Sequence, residues 1–293
     1  MLLFHTGAAG WETPPAVLVP AGIAAALAAQ AFLRLRRRGR GDLASWGRAA
    51  LFAAGLGAAV LALVSPIDGI GEDELLSVHM LQHVLIGDLA PALLLVGLRG
   101  PLLFFLLPAA VLGPLARASR LRAALRTLTR PRVAFALWAA NLAVWHVPWL
   151  YDAALRHRAL HDFEHACWLA TGLLVWTLLV DPAGHRQLSV GGRLALAVGM
   201  FAAGQVLTDV LVFSFTPLYP AYTGAHGLSA VTDQQLAGVV MMAEQLLTLG
   251  TLGLILLRPR LHGRAEPAPA VRALPVRPSE LTGRHADRQE VPL

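Results

Sequence analysis

Seven long apolar stretches separated by short polar segments dominate this chain. They cover approximately residues 14–33, 46–64, 77–98, 132–150, 162–180, 191–215 and 235–257. Each is close to the roughly 20 apolar residues with which a helix crosses the hydrocarbon core of a bilayer. The pattern therefore predicts an all-α polytopic membrane helix bundle with seven transmembrane helices, which form one membrane domain over residues 14–257.

The segments outside these stretches follow other patterns. Residues 1–13 are predicted to form an outer N-terminal arm, and residues 258–293, rich in proline, arginine and alanine, a disordered cytoplasmic tail. The apolar run at residues 101–115 is short for a span and contains Pro108. Residues 101–128 are therefore interpreted as an interfacial segment in which 101–115 is either interfacial or re-entrant. Its arginine-bearing half is either a helix on anionic lipid or a solvated linker.

Composition and charge add an orientation to this bundle. A hydrophobic content of 56% with only 14% charged residues is typical of membrane proteins. All 24 basic residues are arginines, and in the seven-span topology only Arg156 and Arg158 lie on one side, which leaves 22 (24 − 2) on the other. Since basic residues accumulate on the cytoplasmic side, we expect the N-terminus outside and the C-terminus cytoplasmic, in a bacterial plasma membrane. The net charge of +6 then reflects this bias and indicates no nucleic-acid partner.

Histidine placement is the strongest indication of function. The same topology puts eight of the 11 histidines on the outer side. His79 and His83 open the third span, and His161 and His165 open the fifth, each pair at a spacing that places both imidazoles on one helix face. His146 closes the fourth span at the same level. Two such pairs at one depth predict an outward-facing metal site, whereas either pair alone fits interfacial histidines bonded to headgroups or loop carbonyls.

The available ligand types favour copper, bound transiently, over zinc or haem. Imidazole suits both copper and zinc, and thioethers such as Met241 favour Cu(I). His146 is either a fifth ligand or a core histidine. Glu164 or Asp162 either orients an imidazole or serves as an acidic residue at a helix N-terminus.

Three carboxylates fall inside predicted spans with no arginine at comparable depth, namely Asp88, Asp209 and Glu244. A charge there is costly, so each is expected to be neutral, hydrogen-bonded or engaged with an ion. Pro91 frees the carbonyl of Gly87 and makes a polar notch near Asp88. With Met241 these carboxylates form a candidate secondary metal site or ion path, and interhelical hydrogen bonding is the alternative.

Five sequence blocks in the membrane domain carry a resemblance to one family. They are HMLQH at 79–83, WHVPWLYDAAL at 145–155, LHDFEH at 160–165, PLYPAY at 217–222 and DQQLAGVVM at 233–241. In this order, over about residues 45–257, the chain resembles the CtaG family of cytochrome c oxidase assembly proteins. This is the multi-spanning family associated with caa-type oxidases, not the single-span copper chaperone that shares its name.

The resemblance implies a plasma-membrane assembly factor, not an enzyme, that helps to mature the oxidase by handling copper for its metal centres. It assigns the motif positions His79, His83, His146, His165 and Asp233 to the metal site. The partners it implies are oxidase subunits, with a copper donor on the outer side of the bilayer.

Two other functions stay open from the sequence. A copper or zinc permease would use Asp88, Asp209 and Glu244 as its pathway. A bis-histidine haem protein would hold haem between facing helices, but the helix-end positions of the histidines favour a small ion. A retinal protein is excluded because the chain has no lysine for a Schiff base, and no HExxH motif indicates a metalloprotease.

Overall fold

The computed structural model describes residues 10–261, and the predicted arm before residue 10 and tail after residue 261 lie outside the described residues. Every regular element within residues 10–261 is a helix, which confirms the all-α class. In chain order the elements are α1 (Pro15–Arg37), α2 (Trp46–Val64), α3 (Pro66–Asp73), α4 (Leu76–Val84), a π-helix (Leu85–Leu89), α5 (Ala90–Gly97), α6 (Pro101–Phe105), α7 (Ala109–Arg117), α8 (Ser119–Leu128), α9 (Pro131–Trp145), α10 (Pro148–Arg156), α11 (Arg158–Val180), α12 (Val190–Phe213) and α13 (Ala230–Leu261).

Six helices among the described residues are long and apolar enough to cross a membrane, and a bent pair raises the number to as many as seven. The six are α1, α2, the composite helix Leu76–Gly97, α11, α12 and the stretch Ala230–Arg258. Three predicted spans, at 46–64, 162–180 and 235–257, lie within these helices, and those at 14–33, 77–98 and 191–215 extend beyond them by at most two residues. Multiple apolar helices thus identify a membrane protein.

The fourth predicted span, at residues 132–150, differs from the prediction. The helix α9 ends at Trp145, and the chain then bends by 77° into α10. Pro148 explains the break, because a proline ring clashes with the carbonyl four residues earlier and forces the preceding residue into an extended conformation. Val147 adopts that conformation, with φ −69° and ψ 119°.

The segment at residues 101–128 folds into three short helices, α6, α7 and α8, each of at most 10 residues. None has the length of a span, as the sequence predicted. Leu102 of α6 packs into a small cluster with Ala31, Phe32 and Leu35 of α1, whereas α8 buries none of its residues.

The composite helix Leu76–Gly97 lies at the centre of the bundle. In its most apolar 18-residue stretch 67% of the residues are buried, compared with 11% in the corresponding stretch of α1. Its π-helix replaces the usual hydrogen-bonding pattern, since the amide of Ala90 donates to the carbonyl of Leu85, five residues earlier. This turn presses the carbonyl of Gly87 against Gly172 of α11, where a Cβ atom would overlap it. The polar notch predicted near Pro91 is therefore packed against a neighbouring helix.

Candidate metal centre

Four histidines from two helices meet in the interior of the bundle. His79 and His83 of α4 face His161 and His165 of α11, and one ligand atom from each lies within 4.8 Å of the others. Ring centroids are 4.3 and 4.1 Å apart within the two pairs, and 5.3 and 5.4 Å apart between the helices. The two pairs predicted separately from their spacing therefore form one cluster, here called the four-histidine site.

Hydrogen bonds at the rim of the four-histidine site determine which imidazole nitrogens are free. Nδ1 of His79 lies 3.2 Å from the carbonyl oxygen of Gly71, and Nδ1 of His161 lies 2.8 Å from Oε1 of Glu72. Both nitrogens must donate, so each Nε2 carries a lone pair when the ring is neutral. Among the described residues, the buried Nε2 atoms of His161 and His165 have no hydrogen-bond partner.

An imidazole nitrogen with a free lone pair can bind a metal ion, so these nitrogens are candidate ligands. Nε2 of His79 and Nε2 of His83 lie only 2.9 Å apart, and Nε2 of His83 is 3.6 Å from Oε1 of Glu164. Imidazoles oriented by a carboxylate or a backbone carbonyl are the usual arrangement around zinc and copper. The residues present therefore fit a divalent or monovalent transition metal held by up to four imidazoles.

The residues that orient the imidazoles lie mainly on α3, which the sequence analysis did not assign to the site. Gly71 and Glu72 belong to this helix, and a Cβ atom at Gly71 would lie 3.0 Å from Cα of His79. Of the two acids proposed from the sequence, Glu164 is buried beside His83, whereas Asp162 is exposed. The unbalanced acidic run from Glu72 to Glu74 was the signal that could have pointed to α3.

Three tyrosines cover the four-histidine site. The hydroxyl of Tyr222 donates to the carbonyl of Gly71 over 2.7 Å and lies 3.2 Å from the hydroxyl of Tyr151, whose ring is 5.2 Å from that of His79. Tyr219 donates to the carbonyl of His146 over 3.1 Å. Burial raises the pKa of Tyr219 and of Tyr222, so both phenols stay protonated and donate these bonds.

An acidic cavity of about 570 Å³ opens beside the four-histidine site. Its lining includes Glu12, Asp68, Glu72, Asp162, His161 and His165. Burial and the neighbouring Glu72 carboxylate raise the pKa of Asp68 to about 6. Arg158 also lines the cavity, but it forms an ion pair with Glu12 at 3.2 Å. The balance of charge therefore favours cations next to the imidazoles.

His146 and Asp233, both expected at the metal, lie elsewhere. His146 faces Met80, with 3.4 Å between Nε2 and Sδ, and is not part of the four-histidine site. Asp233 accepts from the amides of Leu76 at 2.7 Å and Ser77 at 3.1 Å, and from the Ser77 hydroxyl at 2.5 Å. Its carboxylate thus caps the first turn of α4 and positions the helix that carries His79 and His83.

The two glutamines after Asp233 also connect neighbouring segments through hydrogen bonds. Gln234 accepts from the amide of Leu218 over 2.7 Å and donates to the carbonyls of Leu211 and Thr216. Gln235 donates to the carbonyl of Val212 over 3.1 Å. Residues 233–235 therefore connect α13 by hydrogen bonds to α4, to the end of α12 and to the loop that carries Tyr219 and Tyr222.

The structure brings together only some residues of the candidate secondary metal site or ion path. Asp88 is buried and accepts from the indole of Trp176 over 3.0 Å, and it lines a small cavity with Met241. The carboxylate of Glu244 interacts electrostatically with Asp88, and both its oxygens are buried with no hydrogen-bond partner among the described residues. Asp209 is exposed on α12 and does not line this cavity.

Comparison with known proteins finds a family. Residues 27–261 match the model of the family described as "Cytochrome c oxidase caa3 assembly factor". An uncharacterized protein of Mycobacterium bovis, Mb0105, and one of Mycobacterium tuberculosis, MT0111, are each 32% identical to this chain over 189 residues, or 60% of the chain. The alignment covers 27% of the length of these relatives. No solved structure matches.

Proposed function

Because the chain belongs to the family of cytochrome c oxidase caa3 assembly factors, we propose that it assists oxidase maturation by carrying copper at the four-histidine site. The observation behind this proposal is the convergence of four buried imidazoles, two of which have an unpartnered Nε2. Neutral imidazoles bind copper well, and buried nitrogen lone pairs without a partner are costly unless a proton or a metal satisfies them.

The copper is the cargo of this site. It enters through the acidic cavity, where the carboxylates of Asp68 and Glu72 lower the cost of bringing a cation towards the interior. The imidazoles then replace its water ligands, while Gly71 and Glu72 hold two of the rings in the ligating orientation. Release to an oxidase subunit is a ligand exchange with no catalytic step.

We also propose that the four-histidine site faces the outer compartment, with the N-terminus outside and the C-terminus cytoplasmic. The support is the arginine distribution. The connections on the other side of the bundle from the histidines carry Arg34 to Arg48, Arg99 to Arg132, Arg186 and Arg193. A copper donor would then meet the protein from outside.

A haem-binding function is poorly supported by the geometry. The ring of His79 lies within 6.5 Å of the rings of His83, His161 and His165, which leaves no room for a porphyrin plane between them. A permease is the second candidate, since Asp88 lines the same small cavity as His83 and Glu244 adds a second carboxylate whose oxygens are buried. Copper uptake into vesicles containing the purified protein would favour it over transient carriage.

The test is metal binding by the detergent-purified full chain, compared with the variant His161→Ala/His165→Ala. We expect the parent protein to bind about one equivalent of Cu(II) at its imidazoles, the variant to lose it, and neither to show a Soret band. His157→Ala is the matched control, because His157 is exposed and next to α11. In cells, the double variant should lower the copper content and activity of the oxidase. Normal oxidase copper and activity with the double variant inserted at parent levels would contradict copper delivery.

A further inference from the structure

Met80 and His146 face each other on a different side of α4 from the four-histidine site. Met80 lies on α4 between the two ligating histidines, and its side chain is 1% exposed. Nδ1 of His146 lies 2.8 Å from the carbonyl oxygen of Leu142, and Nε2 lies 3.4 Å from Sδ of Met80. The carbonyl can only accept, so Nδ1 carries the hydrogen.

The hydrogen bond from Nδ1 of His146 to the carbonyl of Leu142 leaves a lone pair on Nε2, which faces the lone pairs on Sδ of Met80. A neutral imidazole protonated on Nδ1 has no hydrogen on Nε2, and a thioether sulfur has none either. Two acceptors at 3.4 Å in a buried place gain nothing from each other. A cation that accepts electron pairs from both atoms would satisfy the arrangement.

The surroundings supply space and further ligands. Met80 and His146 line a cavity of about 20 Å³ together with Met241, Gln245, Asp88 and His83. This volume accommodates one water-sized species. Met241 is buried and adds a second thioether, and the buried Oε1 of Gln245 has no hydrogen-bond partner among the described residues.

We propose that Met80 and His146, together with Met241, form a second metal site that is selective for Cu(I). It is here called the inner site. Thioether sulfur is a soft ligand that favours Cu(I) over Zn(II) and other harder cations. The four-histidine site offers imidazoles alone and accepts either metal. The two sites therefore differ in selectivity.

The position of His83 connects the two sites. Its ring belongs to the four-histidine site and also lines the small cavity of the inner site. A Cu(I) ion can pass from the four-histidine site to the second site by exchanging an imidazole ligand for the sulfur of Met80, with no change in oxidation state. This transfer step rests on the proposed function, whereas the inner site itself does not require metal at the four-histidine site.

The experiment measures anaerobic Cu(I) binding by the detergent-purified full chain, with X-ray absorption to identify the ligands. The parent protein should bind two Cu(I) ions with a sulfur contribution, and Met80→Leu should bind one with that contribution reduced or lost. Met200→Leu is the matched control, because Met200 is equally buried but does not line the cavity. It should behave like the parent.

Zn(II) binding shows whether Met80→Leu has kept its fold. Parent and variant should bind the same single equivalent of Zn(II) at the four-histidine site. His161→Ala/His165→Ala should lose that zinc and keep one sulfur-bound Cu(I), which separates the inner site from the proposed function. No sulfur ligand in the parent protein, or an unchanged sulfur signal and stoichiometry in Met80→Leu, would overturn the inner site.

Discussion

At the scale of single residues, the structure separates the imidazoles that could bind a metal from the groups that orient them. The i,i+4 spacing was enough to predict that His79 and His83 share a face, and likewise His161 and His165. Glu72 could not be predicted as the partner of His161, because the two are far apart along the chain and meet only when α3 folds back over α4 and α11. Long-range contacts of this kind leave no local pattern in the sequence.

The charge of Glu72 should matter for metal affinity. Glu72→Gln keeps an acceptor for Nδ1 of His161 but removes the negative charge that makes the imidazole a stronger ligand. We expect copper affinity to fall by about 10-fold, at the lower end of the effect of such partners. Competition with a chelator of known affinity measures it. Glu74→Gln is the control, because Glu74 pairs with the exposed His226, and equal affinities in the two variants would contradict the role of Glu72.

Asp233 is expected to act through α4. Asp233→Ala leaves the buried amide of Leu76 without its acceptor, at a cost of about 1–3 kcal/mol in the free energy of unfolding. Thermal melting in detergent should show this loss, and copper should bind more weakly but with the same stoichiometry. Asp233→Asn, which keeps one acceptor oxygen, should lie between. Loss of one metal equivalent at unchanged melting temperature would instead make Asp233 a ligand.

At the scale of helices, apolar length predicted the elements well and prolines explain the exceptions. The stretches at 46–64 and 191–215 match α2 and α12 within two residues at either end. The span predicted at 132–150 continues past the break after Trp145 because Val147 and Leu150 extend the apolar stretch, although Pro148 between them favours a helix end. The π-helix was not predicted either, since the extra residue in its turn depends on how Gly87 fits against α11.

The contact between Gly87 and Gly172 should control the distance between the two histidine pairs. Gly172→Ala places a methyl group on the carbonyl of Gly87, so α4 and α11 must separate. We expect a loss of about 1–3 kcal/mol in the free energy of unfolding, as for other overpacked interiors. Copper affinity should fall with it.

Gly250→Ala is the matched control for this change, since a Cβ atom at Gly250 meets nothing within 4 Å. Melting temperatures and copper titrations of the two variants would be compared side by side. Parent-like copper affinity in Gly172→Ala would show that the histidine pairs do not depend on this packing.

At the scale of the whole molecule, orientation can be tested with single cysteines. In a Cys167→Ser background, His157→Cys and Arg186→Cys place one thiol near each end of α11, both at exposed positions. We expect an impermeant maleimide added to intact cells to label His157→Cys and to label Arg186→Cys only after lysis. The reverse pattern would invert the proposed orientation and put the histidines on the cytoplasmic side.

The ligands of the four-histidine site have a consequence for the conditions in which the protein can work. The chain has one cysteine, Cys167, which is partly buried on α11 and is not among the residues of the four-histidine site. Imidazoles do not form disulfides, so an oxidising environment does not block these side chains by that reaction. No reductase is then needed to restore them. Metal binding by these imidazoles would therefore persist under thiol oxidation, which inactivates sites that depend on paired thiols.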